Sequence, residues 1–73
     1  MNKEKFLNPD YKPDDNTLEE IEKLHKDGES LSGIQLKFAD MKNAKLVNAD
    51  LSNSDLTRAD FSSASLFGVN LEG

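Results

Sequence analysis

From Ile34 to Gly73 the sequence repeats every five residues without a break. In fives it reads IQLKF, ADMKN, AKLVN, ADLSN, SDLTR, ADFSS, ASLFG and VNLEG. The central residues are Leu36, Met41, Leu46, Leu51, Leu56, Phe61, Leu66 and Leu71, and the first residues are Ile34, Ala39, Ala44, Ala49, Ser54, Ala59, Ala64 and Val69. The preceding five, residues 29–33, keeps Leu31 at its centre but has Glu29 where a small residue belongs, and reads as a worn first repeat. Five residues on an α-helix turn the face by about 140°, so these leucines would wind around the axis and make no stripe. On a flat strand side chains alternate with period two, so successive leucines would point to opposite faces. The apolar set faces one core only if the chain turns a corner within every five. Asp, Asn, Ser and Gly crowd the remaining positions, and these are turn residues. A chain that bends the same way at each five closes into a coil, and stacked coils bury their central residues in columns.

These fives resemble the pentapeptide-repeat family, whose motif is A-(D/N)-L-x-x. ADMKN, ADLSN, SDLTR, ADFSS and VNLEG match it closely, while IQLKF, AKLVN and ASLFG depart at the second position. The resemblance implies an all-β solenoid, a right-handed quadrilateral β-helix with four fives per coil. Residue i then sits under residue i+20, about 4.8 Å away. The expected core columns are Leu31–Leu51–Leu71, Leu36–Leu56, Met41–Phe61 and Leu46–Leu66. Outside them, Val47 falls over Phe67 at the outward fourth position and makes an apolar ladder. Phe38 falls over Arg58 within stacking reach, and Asp40 falls over Asp60, a like-charge pair expected to lie on a solvated face with its carboxylates rotated apart, the alternative being compensation by Lys42 or a cation.

Upstream, residues 1–15 read as an irregular arm, because Pro9 and Pro13 break any helix or central strand. Phe6, Leu7 and Tyr11 are its large apolar groups, expected to dock on the rest of the domain or lie loose rather than to bind a partner. Residues 16–28 read as a capping helix. Asn16 or Thr17 begins it with Glu19 or Glu20 at capping-box spacing, Glu19–Lys23 and Glu22–Lys26 are i,i+4 pairs, and Gly28 suits the C′ position. Leu18, Ile21 and Leu24 give it one apolar stripe, placed to cover the open end of the β-helix over residues 29–73.

The rest is exclusion. The 73 residues make one small domain with a net charge of −5 and no basic patch, which argues against a nucleic-acid partner. There is no cysteine for a disulfide or thiolate site. No signal-peptide core or membrane-length run occurs, so the expected location is cytoplasmic. His25 is the single histidine, without a paired carboxylate motif, and reads as structural. The serines lack the context of a nucleophile and the glycines form no phosphate loop. No catalytic residue, metal, cofactor or small-molecule substrate is expected.

VNLEG ends in phase at Gly73, so the last coil is expected to be covered either by more of a longer protein or by a second copy. The functional expectation is a non-catalytic interaction and dimerisation module. The resemblance implies the N-terminal regulatory part of a bacterial signalling protein such as a nucleotide cyclase or kinase. The alternative, implied by likeness to gyrase-protecting members, is a DNA mimic that binds a topoisomerase. The expected interaction surface is Val47, Phe67, Leu66 and Leu71, and the expected partner is a second copy or an adjoining domain.

Overall fold

The computed structural model describes residues 3–73. A 3-10 helix, Lys3–Leu7, opens the chain, and an α-helix, α1, spans Thr17–Lys26. From Leu31 onward every five contains one turn, and residues twenty apart are bridged in parallel: Gln35 with Asp55, Asp40 with Asp60, Lys45 with Ser65, and Asp50 with Asn70. The chain therefore winds as a β-helical solenoid with twenty residues per coil.

The expectation of an all-β chain needs correcting in one respect. The bridges are isolated and no continuous strand forms among the described residues. Each side of the coil has a single residue, the second of its five, in bridging geometry, because the third to fifth residues are spent on the turn. Eight turns close with the N–H of a first-position residue donating to the carbonyl three residues earlier, as in Ala39 to Leu36 (3.0 Å) and Ala64 to Phe61 (3.0 Å). The fifth residue of every five has positive φ, from 57° at Arg58 to 88° at Gly73. An i to i+3 bond with φ > 0 only at i+2 is a type II turn, which favours Gly or Asn there. Gly33, Asn43, Asn48, Asn53, Gly68 and Gly73 meet that demand; Phe38, Arg58 and Ser63 do not.

The second-position Asp or Asn locks each turn. Its Oδ1 accepts the backbone N–H two residues on, in Asp40–Lys42 (3.2 Å), Asp50–Ser52 (3.0 Å), Asp55–Thr57 (3.1 Å), Asp60–Ser62 (2.9 Å) and Asn70–Glu72 (3.0 Å). Gln35, Lys45 and Ser65, the three departures from the motif, make no such bond. Between coils, third- and fifth-position N–H groups donate to carbonyls nineteen residues on, as Leu36 to Asp55 (2.8 Å) and Phe38 to Thr57 (2.9 Å). Second-position N–H groups reach back to first-position carbonyls, as Asp55 to Ile34 (3.0 Å). The worn repeat joins this ladder through Gly33, whose N–H donates to Ser52 O (2.8 Å).

Leu31, Ile34, Leu36, Ala39, Met41, Ala44, Leu46, Ala49 and Leu51 are buried, in one cluster with Phe6, Ile21 and Leu24. Leu56, Phe61 and Leu66 pack against that cluster but remain partly exposed. The columns are thus closed at the first full coil and half open at the second, where each side chain has a neighbouring coil on one side only.

The arm is more ordered than an irregular segment. Residues 1 and 2 of it lie outside the described residues. Phe6 is buried, its ring meets Tyr11 edge-on at 4.8 Å, and its carbonyl accepts the Gln35 N–H at 2.7 Å. Leu7 stays exposed.

Helix α1 starts differently from the expected capping box. Asn16 makes no side-chain cap. Instead Asp14 Oδ1 accepts the Asn16 N–H (2.8 Å), and Thr17 Oγ1 accepts the Asp14 N–H (2.8 Å) while meeting the Tyr11 hydroxyl (2.7 Å). Glu20 turns away to Lys5, both oxygens at 2.9 Å. The pairs Glu19–Lys23 and Glu22–Lys26 do not form among the described residues; Lys23 pairs with Asp27 (3.2 Å), and Glu22 is drawn to the backbone of Lys45. The C-terminus matches expectation: Gly28, at φ 87°, donates to His25 O (3.0 Å) and Glu29 to Leu24 O (3.0 Å), a Schellman motif.

Candidate functional site

The two faces of the solenoid differ in what meets them. On the first coil, second-position N–H groups and fourth-position carbonyls have no preceding coil. Gln35 N–H donates to Phe6 O (2.7 Å) and Lys45 N–H to Glu22 Oε2 (2.7 Å). His25 Nε2 lies 2.8 Å from Val47 O. A carbonyl only accepts, so that nitrogen carries the proton. Its side chain thereby ties α1 to the coil, which is the structural placement of the single histidine.

On the second coil the opposite edge is open. The N–H groups of Leu56, Phe61 and Leu66 at third positions, and of Arg58, Ser63 and Gly68 at fifth positions, donate to no protein group among the described residues. Their counterparts one coil earlier all donate across the coils. The rim of this face carries Leu66, partly exposed, and Leu71, 57% exposed. An unpaired β edge beside half-covered leucines is a template for another segment to pair with.

The flank adjoining that face carries an exposed apolar pair, Val47 and Phe67. Along the sides 44–48 and 64–68, the outward second and fourth positions are Lys45, Val47, Ser65 and Phe67. Val47 is 43% exposed and Phe67 83%. This is the one side whose outward positions carry no carboxylate: 39–43 and 59–63 present Asp40 and Asp60, 49–53 and 69–73 present Asp50 and Glu72, and 34–38 and 54–58 present Asp55.

The acidic positions are occupied by their own turns. Ser52 Oγ donates to Asp50 Oδ1 (2.6 Å), Thr57 Oγ1 to Asp55 Oδ1 (2.7 Å), and Ser62 Oγ to Asp60 Oδ1. These hydroxyl bonds, followed by the backbone N–H bonds of the same residues, hold all three carboxyls below the ordinary carboxylate value. The stacked Asp40 and Asp60 are directed into separate turns, with Lys42 Nζ 4.0 Å from Asp60. The hydroxyls that resemble nucleophiles in composition are turn locks in geometry.

Phe38 and Arg58 are bridged backbone neighbours through Thr57, but no cation–π contact joins them among the described residues. Both sit at positive φ, at the corner of the coil, where side chains splay outward. The cation over an aromatic face is instead Lys5, 5.2 Å from the Phe6 centroid.

Phe6 and Tyr11 dock on the core as one of the readings of the arm expected, while sequence reasoning missed the roles of Glu22 and Thr17. The available signal was weak: a helix with its stripe at Leu18, Ile21 and Leu24 has Glu22 and His25 flanking that stripe, positioned for the coil's edge.

No helix among the described residues is long and apolar enough to cross a membrane. Neither a curated protein nor a solved structure matches the chain. The family model for pentapeptide repeats matches eight copies over residues 34–73, more than half of the sequence, with the same boundaries as the uninterrupted fives. With the period of five, the bridges twenty residues apart and that match in agreement, the chain belongs to the pentapeptide-repeat family.

Proposed function

We propose that this chain is a non-catalytic protein-interaction module that pairs through its second coil. The observation that carries the reading is the unpaired edge of that coil, six N–H groups without a protein acceptor among the described residues, beside partly exposed Leu56, Phe61 and Leu66 and exposed Leu71. Family membership supports an interaction role. In this reading α1 and the arm cap the first coil, since Phe6 O, Glu22 and His25 supply the acceptors and donor a preceding coil would have offered. The winding is right-handed, as in the family, and the module works in the cytoplasm.

The partner on this reading is a second copy related by a two-fold axis. Such a contact is isologous and closes without growing fibres. The Val47–Phe67 flank widens the contact. Attachment to a bacterial signalling enzyme, a nucleotide cyclase or kinase, extends the reading by family likeness alone. The duplex-mimic reading has less support, because the longest dimension of 28 Å equals only about eight base-pair steps.

Sedimentation at tens of micromolar tests the pairing. A dimer is expected for the unaltered chain. Leu71→Lys gives monomer if the open end drives association, and Phe67→Glu does so if the flank drives it. A clean monomer for the unaltered chain would refute self-pairing.

A further inference from the structure

The open end of the solenoid is not flat. Residues twenty apart are bridged, so the chain climbs one coil, about 4.8 Å, in every twenty residues. The side 69–73 stands on 49–53: the Asn53 N–H donates to Glu72 O (2.8 Å), and Asn53 Oδ1 lies close to Gly73. Ser54 continues from Asn53 on the level below. The open edge, 54–73, is therefore a ramp with one step, at the corner where Gly73 stands beside Ser54. Resting on the self-pairing reading above, we infer that two copies meet about a two-fold axis that crosses this step and leaves through the opposite corner, between Ser63 and Ala64.

The shape of the ramp selects that axis. Turning a copy over about an axis in its end face preserves the hand of its winding, so its ramp lies parallel to the first. The two ramps are flush all round only when both steps fall at the same corner. A four-sided coil has four candidate axes, two through corners and two through the middles of sides. The axis through the step brings all four sides together. The other corner axis, past Arg58 and Gly68, leaves two sides a coil's height apart. The axis through the middle of 54–58 leaves one side apart, and the axis through the middle of 59–63 leaves three.

Area points the same way. The two shorter extents of the molecule are 23 and 22 Å, which gives an end face of about 500 Å² per copy and about 1,000 Å² per pair, where specific interfaces begin. A contact that loses a side falls below that limit.

The axis also fixes which residues meet. The side 54–58 runs antiparallel to 69–73 of the partner, and 59–63 to 64–68 of the partner. Leu56 then meets Leu71 of the partner and Phe61 meets Leu66 of the partner, which closes the columns that a single chain leaves half open. Asp55 faces Glu72 of the partner, and by symmetry this occurs twice. Like charges directly opposed weaken a pairing, so the pair is tighter in salt than without it.

The test uses the absence of cysteine from the chain, which lets single cysteines report the axis. Ser63 is exposed and lies beside the axis, where its Cα comes within about 6 Å of its mate, inside the range of a disulfide. Arg58 is exposed too, but this axis puts it a full diagonal from its mate. Under mild oxidation Ser63→Cys is expected to form covalent dimer at least about tenfold faster than Arg58→Cys, the gain from holding two thiols together. Glu72→Lys turns both like-charge oppositions into attractions and should tighten the sedimenting dimer about tenfold at low salt, a gain that fades near about 0.5 M salt. Sedimentation of the unaltered chain and of reduced Ser63→Cys separates the two ways of failing. A monomer for both refutes the pairing and this axis with it. A dimer in which Ser63→Cys does not cross-link, or Arg58→Cys cross-links as fast, refutes the axis alone, and so does a dimer that Glu72→Lys loosens.

Discussion

Truncating Leu36 and Leu56 to alanine, one at a time, separates the closed coil from the open one. The two residues share repeat position, residue type and column, and differ by one coil. Leu36 is 0% exposed and belongs to the buried cluster that includes Phe6, Ile21 and Leu24. Leu56 is partly exposed. A fully buried Leu→Ala change costs about 2–5 kcal/mol, transfer plus the cavity left behind. For Leu56 part of the side chain is already hydrated and no sealed cavity forms, so about 1–2 kcal/mol is expected. A chain of this length has a total stability of about 4–11 kcal/mol, so Leu36→Ala removes a large share of it. At about 4–8 °C per kcal/mol for small domains, Leu36→Ala should lower Tm by about 8 °C or more, and Leu56→Ala by roughly half as much or less.

Urea titration followed by far-ultraviolet circular dichroism, at sub-micromolar chain, measures both. The dilution matters. If a second copy covers the open coil, Leu56 becomes buried in the dimer and its cost rises with concentration, whereas that of Leu36 does not. Equal costs for the two variants in dilute solution would refute the argument, since the second coil would then be sealed within a single chain.

Other perturbations follow the same geometry. Gly68→Ala places a Cβ against the Asn48 side-chain oxygen at φ 74°, so it should cost at least about 1–2 kcal/mol, with Asn48→Gly recovering part of the loss in thermal melts. Asp50, Asp55 and Asp60 have carboxyls held below the ordinary value by Ser52, Thr57 and Ser62. Their stabilisation is present above the unfolded-chain value of about 3.9 and is lost as pH falls through the lower folded values; urea midpoints at pH 7, 4 and 3 should therefore decline, and the triple change to Asn, which keeps the turn acceptor, should flatten that decline. Phe61→Ala should destabilise by less than the 3–5 kcal/mol of a sealed aromatic site, about 2 kcal/mol, because Phe61 is partly exposed; a urea titration reads it. Glu22→Ala should cost about 1 kcal/mol by leaving the Lys45 N–H without its acceptor, and Glu22→Gln should cost less.

The legible part of this fold was whatever repeats. The leucines at the third position and the small residues at the first declare the core because both must point inward at every turn. The second-position Asp is legible for the same reason: it serves its own turn at fixed spacing. The fifth position was readable too, since Asn and Gly recur at 33, 43, 48, 53, 68 and 73 and only a positive φ explains that pair of residue types. What occurs once was not legible. Whether Glu20 caps its own helix or reaches Lys5 depends on where the arm lies, and nothing local in TLEEIEK decides it. The same holds for Glu22, whose favourable pairing with Lys26 lost to a charge-assisted bond with a backbone N–H that the helix brought within 2.7 Å. Phe38 over Arg58 failed as a stack because coil register fixes Cα positions while the corner conformation directs the side chains.

The edges of the two coils also say what each can accept. Where coils meet, each side contributes two N–H donors from the earlier coil, at third and fifth positions, and one from the later, at the second. The outer edge of the first coil is therefore rich in carbonyls and poor in N–H groups. Phe6 O and Glu22 take two of its few donors, and the His25 N–H reaches one of its carbonyls. The open edge of the second coil has the reverse balance, two donors to one acceptor per side. A two-fold contact places each side antiparallel to its mate, so first-position carbonyls can meet third-position N–H groups across the axis. Fifth-position N–H groups, such as those of Arg58, Ser63 and Gly68, are then left for side-chain or solvent oxygens. A partner that brings extra acceptors, carboxylates or amide oxygens at the corners, satisfies this edge better than a bare coil does. Replacing Ser63 by Asp places such acceptors at a corner of both copies; if two-fold pairing is correct, it should tighten the dimer at low salt relative to Ser63→Lys, and equal dimer affinity for the two variants would count against the pairing.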